Sequence, residues 1–209
     1  MQILQLGKIP YLEAEAYMLN CLEQRIAGKM VDTLLLCEHD PVYTLGRRQD
    51  AQQNVLNPKE IPVVQARRGG DVTYHGPGQL VGYPILELKE HRKDLHAYLR
   101  FLEQVWIDYF DTISISANRD DRNTGVWVNN KKMVAVGIAC RRWVTWHGFA
   151  CNIDLDLDPF SNINPCGMKS SLVTRLSDHW KDPISIGTLA EEFSLYFKDA
   201  WIKWNLKTS

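Results

Sequence analysis

The stretch 68-RGGDVTYHGPGQLVGYP-84 places five glycines and two prolines in seventeen positions, with an arginine at its head and a histidine near its middle. Glycine tolerates positive φ and lets other atoms approach the backbone closely. Arg68-Gly69-Gly70 therefore offers bare amide groups beside a cation, and the ring of Pro77 pins the Gly76-Pro77-Gly78 turn at the far end. Between these ends, Asp71, Val72, Thr73, Tyr74 and His75 could alternate across a short strand. Three uses compete for such a loop. A phosphate cradle calls for GxxxxGK[ST], or for GxGxxG ahead of a helix, and neither is present. A structural hairpin is the plain reading of the composition. The third use is a wall for an extended, mostly apolar ligand whose polar end is held near Arg68 or His75.

Working outward, Leu12, Ala16, Leu19, Leu22 and Ile26 mark one helical face over 11–27, with Gly28 as a stop. The run 33-TLLLC-37 suits a buried strand. His39-Asp40-Pro41 is a turn before 42-VYTLGRR-48, and the polar residues 49–60, with Asn-Pro, read as a loop. Asp94 can cap a helix whose face is Leu95, Leu99, Leu102, Trp106 and Phe110. A β-rich middle follows in 112-TISIS-116, 125-GVWV-128, 132-KMVAVGIAC-140 and 149-FACNI-153, with Asn129-Asn130 as a hairpin turn. Thr188 and Glu191 make a capping box for a last helix. Its stripe of Leu189, Phe193, Tyr196, Phe197, Ala200, Trp201 and Trp204 reads as core, not as a cofactor box. No repeat, low-complexity segment or linker interrupts the chain. The expectation is one domain over 1–209, α/β or α+β, with a mostly antiparallel or mixed sheet flanked by helices.

The 209 residues are 45% hydrophobic and 23% charged, an ordinary globular composition with room for one substantial core. A formal net charge of −1 supplies no global basic field for nucleic acid. Basic pairs occur at Arg47-Arg48, Arg67-Arg68, Lys131-Lys132 and Arg141-Arg142, and a solvated surface is the default for three of them. The five cysteines form no CxxC and no zinc-type spacing with histidine, so no metal is expected. The start, MQILQLGKIPY, lacks the marks of a secretory signal or presequence, and no apolar run approaches the roughly 20 residues that span a bilayer. A cytoplasmic, soluble protein with reduced thiols and no membrane or nucleic-acid partner is expected.

Free cysteines are usually small buried hydrophobes. Cys21 in a helix, Cys37 at the end of an apolar run, and Cys140 and Cys151 in strand-like segments fit that description. Cys166 differs. In 163-INPCGMKSS-171 it stands between proline and glycine, where neither strand nor helix continues easily, and a thiol on such a turn faces a cleft. A nucleophilic thiol needs help to ionise, from a histidine such as His147 or His75 or from an ammonium group. At about 4 Å and an effective dielectric near 20, an ammonium–thiolate pair is worth about 4 kcal/mol before desolvation. Lys132, which opens a strand-like run, is the lysine candidate; the alternative is that Lys131 and Lys132 are both surface charges.

The blocks 34-LLLCEHDPVYTLGR-47, 68-RGGDVTYHGPGQLVGYP-84, 125-GVWV-128, 132-KMVAVGI-138, 147-HGFACNI-153, 165-PCG-167 and 173-VTRL-176 resemble the octanoyl-[acyl carrier protein]:protein N-octanoyltransferases, or lipoyl(octanoyl) transferases, of the biotin/lipoate-protein ligase superfamily. The likeness runs from about Leu34 to Leu176. It implies the single catalytic domain of that superfamily, with mixed, largely antiparallel sheets flanked by helices. It also implies that Cys166 carries the acyl chain as a thioester and that Lys132, not Lys131, lowers the pKa of that thiol. The implied substrate-binding residues are Arg68, Gly69, Gly70, Asp71, Val72, Thr73, Tyr74 and His75, then Ala135, Val136 and Gly137, then Gly148, Phe149 and Ala150. The implied donor is octanoyl-acyl carrier protein. The implied acceptors are lipoyl domains of 2-oxoacid dehydrogenase complexes and the glycine-cleavage H protein.

A monomer working without ATP, metal or other cofactor is expected, with amides of the PCG turn and of Gly69-Gly70 holding the oxyanion. Three departures from the family pattern are Cys151 for leucine, Asn164 for valine and Arg175 for serine. The rival readings are an ATP-dependent lipoate or biotin ligase, transfer from one lipoyl domain to another, a non-catalytic acyl-binding protein and a cysteine hydrolase.

Overall fold

The computed structural model describes residues 1–165, 168–182 and 185–206. Nine strands and three helices are formed by the described residues. They are β1 (Gln2–Lys8), α1 (Tyr11–Ile26), β2 (Thr33–Glu38), β3 (Val42–Leu45), β4 (Val63–Gln65), β5 (Thr73–His75), β6 (Gln79–Ile85), α2 (Leu95–Thr112), β7 (Gly125–Val128), β8 (Lys131–Arg141), β9 (Val144–Asn152) and α3 (Ile186–Leu206). Six strands make one sheet in the order β1-β2-β6-β9-β8-β7, and three make another in the order β4-β3-β5. Each sheet contains one parallel pair, β1 with β2 and β3 with β4, and is otherwise antiparallel.

The large sheet is covered on both faces. On one side, α2 and α3 pack over β6 to β9, with Trp106 stacked on Phe193 at 3.8 Å between ring centroids and Phe149 rising from β9 to meet both. Burial of aromatic side chains on this scale dominates core energetics. On the other side, α1 sets Ala14, Met18, Cys21 and Leu22 against Leu35, Val81, Tyr83 and Ala150. The small sheet has its own apolar cluster of Tyr43, Tyr74, Leu155 and Phe160. Asn129 and Asn130 both adopt positive φ and turn β7 into β8, the hairpin read from their sequence. Asp94 caps α2 as expected, accepting from the amides of His96 and Ala97.

Three local expectations are corrected. The buried face of α1 is Tyr11, Ala14, Met18, Cys21 and Leu22, whereas Leu12 is 60% exposed. The run 112–116 forms no strand. There α2 continues to Thr112, positive φ at Ser114 turns the chain, and Ile115 is buried as a single anchor. Finally, α3 begins at Ile186, before the expected cap. The amide of Thr188 is already inside the helix and faces the hydroxyl of Ser185 at 3.4 Å.

Candidate active site

Between the two sheets lies a cavity of about 510 Å³. One wall is the middle of β8 and β9, where Ala135, Val136 and Gly137 pair with Ala150, Phe149 and Gly148. The opposite wall is the glycine-rich loop and β5. Of the fourteen expected substrate-binding residues, all line this cavity except Tyr74. The exception follows from strand alternation: Thr73 and His75 face the cavity, and Tyr74 turns to the other side against Tyr43 and Phe160.

Arg68 organises the loop. Its Nη1 donates to the carbonyls of Gly69 and Asp71 at 3.0 and 2.8 Å, and its Nη2 donates to the carbonyl and hydroxyl of Thr44 at 2.7 and 2.9 Å. The planar fork of arginine suits four such acceptors, which a lysine could not span. The Gly69 amide donates to Ile138 O at 2.9 Å and fastens the loop to β8. That amide is committed, which corrects the expectation that it stabilises an oxyanion. At Gly137 a Cβ would stand 3.3 Å from Arg68 Cδ and Gly69 O, so the loop would have to give by a few tenths of an ångström. Gly148 has a different constraint: a Cβ would meet Pro84 and Gly82 of the neighbouring strand at 2.4 and 2.5 Å. The Asp71 carboxylate accepts from Asn54 Nδ2 and from the Val72 amide, so it braces the loop from within.

A cluster of rings that the sequence did not announce closes the α1 side of the cavity. Tyr11 stacks on His75, His39 lies edge-on to both, and Tyr83 lies between His39 and His147. The tautomers follow from the acceptors. His39 Nδ1 donates to Ile9 O, so its Nε2 accepts from the Tyr83 hydroxyl at 2.6 Å. His75 Nδ1 donates to Gln79 Oε1 at 2.6 Å, leaving its Nε2 to face the Thr44 hydroxyl at 3.3 Å. Gln79 donates in turn to Asn152, and Asn152 donates to Thr174 O. Burial lowers the pKa of all three histidines. For His147 the value falls to about 3, with Arg68, Arg47 and Arg67 adding to burial. His147 also has φ +54 within a strand, and its buried Nε2 has no hydrogen-bond partner among the described residues. Backbone strain and an unsatisfied buried nitrogen at one residue are both unusual outside functional sites.

Lys132 lines the same cavity from the start of β8 and is 8% exposed. Its Nζ donates to Asn123 Oδ1 at 2.6 Å. Cys166 lies outside the described residues. Its neighbours Pro165 and Met168 both line the cavity, and the Met168 amide donates to Pro165 O at 3.1 Å. Cys21, Cys37 and Cys151 are buried and Cys140 is half-buried. Among the described residues no group of histidine, cysteine and acidic side chains could hold a metal ion, and no helix is long and apolar enough to cross a membrane. An apolar slot with a lysine at one end and a polar ring cluster at another suits an extended acyl chain joined to a reactive carbonyl.

Comparison with known proteins gives the same direction. The family model for the lipoyl protein ligase A/B catalytic domain matches residues 10–198. An octanoyltransferase of Geobacter metallireducens is 46% identical over 90% of this chain and 87% of its own. Another from Syntrophotalea carbinolica is 43% identical over 98% of this chain and 96% of its own. Among solved structures, lipoate-protein ligase A bound with ATP superposes with a TM-score of 0.75 at 18% identity, covering 96% of this chain and 85% of that one. At that identity the superposition shows the shared fold.

Proposed function

This chain belongs to the lipoyl protein ligase A/B catalytic-domain family and is a transferase, and from that premise we propose that it moves an octanoyl group onto lipoyl domains through a thioester on Cys166. The observation that carries the reading is one cavity shared by Lys132, by Pro165 and Met168 on either side of the cysteine segment, and by the two apolar strands.

In the first half-reaction the Cys166 thiolate attacks the thioester carbonyl of octanoyl-acyl carrier protein. The C–S bond to the carrier's pantetheine breaks, the departing sulfur takes a proton held by Lys132, and octanoyl-Cys166 remains. In the second, the ε-amine of a lysine on a lipoyl domain attacks the new thioester. It loses a proton to Lys132, which regains its ammonium form, the Cys166 sulfur leaves as thiolate, and an N6-octanoyl amide results. Acceptors of this kind are the lipoyl domains of 2-oxoacid dehydrogenase complexes and the glycine-cleavage H protein. Exchange of one thioester for another is nearly balanced, and amide formation draws the sequence forward without ATP. An ammonium close to the sulfur keeps the thiolate populated. The chain lies between the β8–β9 wall and the glycine loop, where each buried CH₂ contributes about 0.8 kcal/mol.

Incubation with octanoyl-acyl carrier protein, followed by intact mass measurement, tests this directly. An octanoyl adduct should form without ATP, should be absent in Cys166→Ser, and should be discharged by a lipoyl domain to give an octanoylated lysine. Persistence of the adduct in Cys166→Ser would remove the nucleophile. Free octanoate in place of a modified lysine would mark a hydrolase.

A further inference from the structure

We propose that Asn123 is a positioning residue for the reaction, holding the Lys132 ammonium without cancelling its charge. The inference rests on the role given to Lys132 above and extends it to a residue with no obvious part in acyl transfer.

The Lys132 side chain follows a narrow path. It passes over Gly125, where a Cβ would stand 2.4 Å from Lys132 Cε and 3.3 Å from Nζ. Gly125 has φ +142, a conformation that side chains rarely adopt, so position 125 is closed to other residues twice over. The Gly125 amide donates to the buried Glu103 carboxylate at 2.8 Å, and Arg100 and Arg119 occupy the other oxygen of that carboxylate at 3.0 Å. The floor under the lysine is thereby fixed to α2. At the end of the path, Nζ meets Asn123 Oδ1 at 2.6 Å. The indole Nε1 of Trp127 donates to the Asn123 carbonyl at 3.2 Å, which holds the backbone of Asn123 while its side chain receives the lysine. From behind, the Thr174 amide donates to Lys132 O, so the backbone of the lysine is also held.

The chemical point is that the acceptor is an amide. A neutral carbonyl oxygen orients an ammonium and favours its charged form without neutralising it. A carboxylate in the same place would neutralise that charge. Several charged groups on the neighbouring segments have partners of their own. Asp120 is gripped by Arg122, Glu103 by Arg100 and Arg119, and Asp178 contacts Arg175 and Thr174, with His179 also on Thr174. Asp121 lines the cavity on the same loop, and Lys131 is exposed beside it.

The test measures the pH dependence of Cys166 alkylation by iodoacetamide, followed on the peptide that contains it, in the full-length wild-type protein and in Asn123→Asp, Asn123→Ala and Lys132→Ala. The readout needs no turnover. Asn123→Asp is isosteric and is expected to move the inflection to higher pH by about one unit, the lower end of what a neighbouring charge does. Asn123→Ala is expected to move it in the same direction by less, and Lys132→Ala by at least as much as Asn123→Asp. A shift in Lys132→Ala with none in Asn123→Asp overturns the positioning role and leaves the role of Lys132 standing. No shift in Lys132→Ala overturns the reading of Lys132, and the role of Asn123 falls with it.

Discussion

Gly82 of β6 lies beneath the ring of Phe149, its register partner on β9, so closely that a Cβ at position 82 would stand 2.0 Å from Phe149 Cζ. The ring has little room to retreat, because its other side meets Trp106 and Phe193 at 5.3 Å between centroids. It also lines the acyl slot, so one contact joins core and function. Gly82→Ala should cost about 1–3 kcal/mol through overpacking. For a chain of this length that is a loss of about 2–12 °C in Tm. Calorimetry checks the stability term. The displaced ring should also lower kcat/KM for the octanoyl donor. An unchanged Tm would show that the ring moves freely.

Arg68 is the second point where stability and slot are joined. Its guanidinium bonds to Gly69, Asp71 and Thr44 bind the loop to β3. Arg68→Lys keeps the charge and loses the fork. A net loss of about 2 kcal/mol is expected, since hydrogen bonds from charged donors are worth roughly 1.5–3 kcal/mol each and lysine recovers some of them. A loosened wall should raise KM for the acyl donor about tenfold and change kcat less, because such a wall acts in binding. Steady-state kinetics with octanoyl-acyl carrier protein separates the two. A fall in kcat at constant KM would place Arg68 in the chemistry instead.

Local codes were readable in the sequence where the physics is local. Asn129-Asn130 takes positive φ for reasons contained in two residues, and Asp94 caps α2 through amides two and three positions away. Tertiary partners decided the rest. The stripe Leu12, Ala16, Leu19 is a valid helical face, but α1 turns on Tyr11, whose ring is claimed by His75 and His39, sixty-four and twenty-eight positions distant in number (75 − 11 and 39 − 11). The run 112–116 has the residue types of a strand, yet α2 was already under way and consumed its start. In the site, the glycine loop stood out by its composition and Lys132 through family likeness. Asn123, Tyr11, Tyr83 and His39 carried no signal, because only the tertiary fold brings Asn123, Tyr11 and Tyr83 to the cavity and sets His39 against Tyr83.

The buried histidines make stability depend on pH in a definite direction. His147 has a folded pKa near 3 and an unfolded one near 6.5, so between those values the unfolded chain binds more protons. Its contribution is fully present above about pH 6.5 and is lost as pH falls toward 3. By pH 5 the loss from His147 alone is about 2 kcal/mol, and His39 and His75, shifted the same way, add to it. Urea unfolding at pH 7 and pH 5 should show this decline. His147→Asn, chosen because asparagine tolerates positive φ, should flatten it by about 2 kcal/mol over the same interval. A decline as steep in the variant as in the wild type would mean that His147 is protonated in the folded protein.

Cys151 stands one residue beyond Ala150 of the slot, and alternation along β9 sends the two side chains to opposite faces. Ala150 faces α1 and the cavity, whereas Cys151 joins the core under α2 and α3 with no exposed surface. Desolvation there lifts its thiol pKa well above the ordinary value, so almost no thiolate forms near neutral pH. Native iodoacetamide treatment should leave the Cys151 peptide unmodified, and the protein should label it only after unfolding. Cys151→Ser should keep the acyl-transfer rate within about twofold, since the side chain does not reach the slot, while losing about 1–3 kcal/mol from a buried hydroxyl without an assigned partner. Labelling of Cys151 in the folded protein, or an octanoyl adduct that disappears in Cys151→Ser, would place a second reactive sulfur at the slot and require the single-nucleophile scheme to be redrawn.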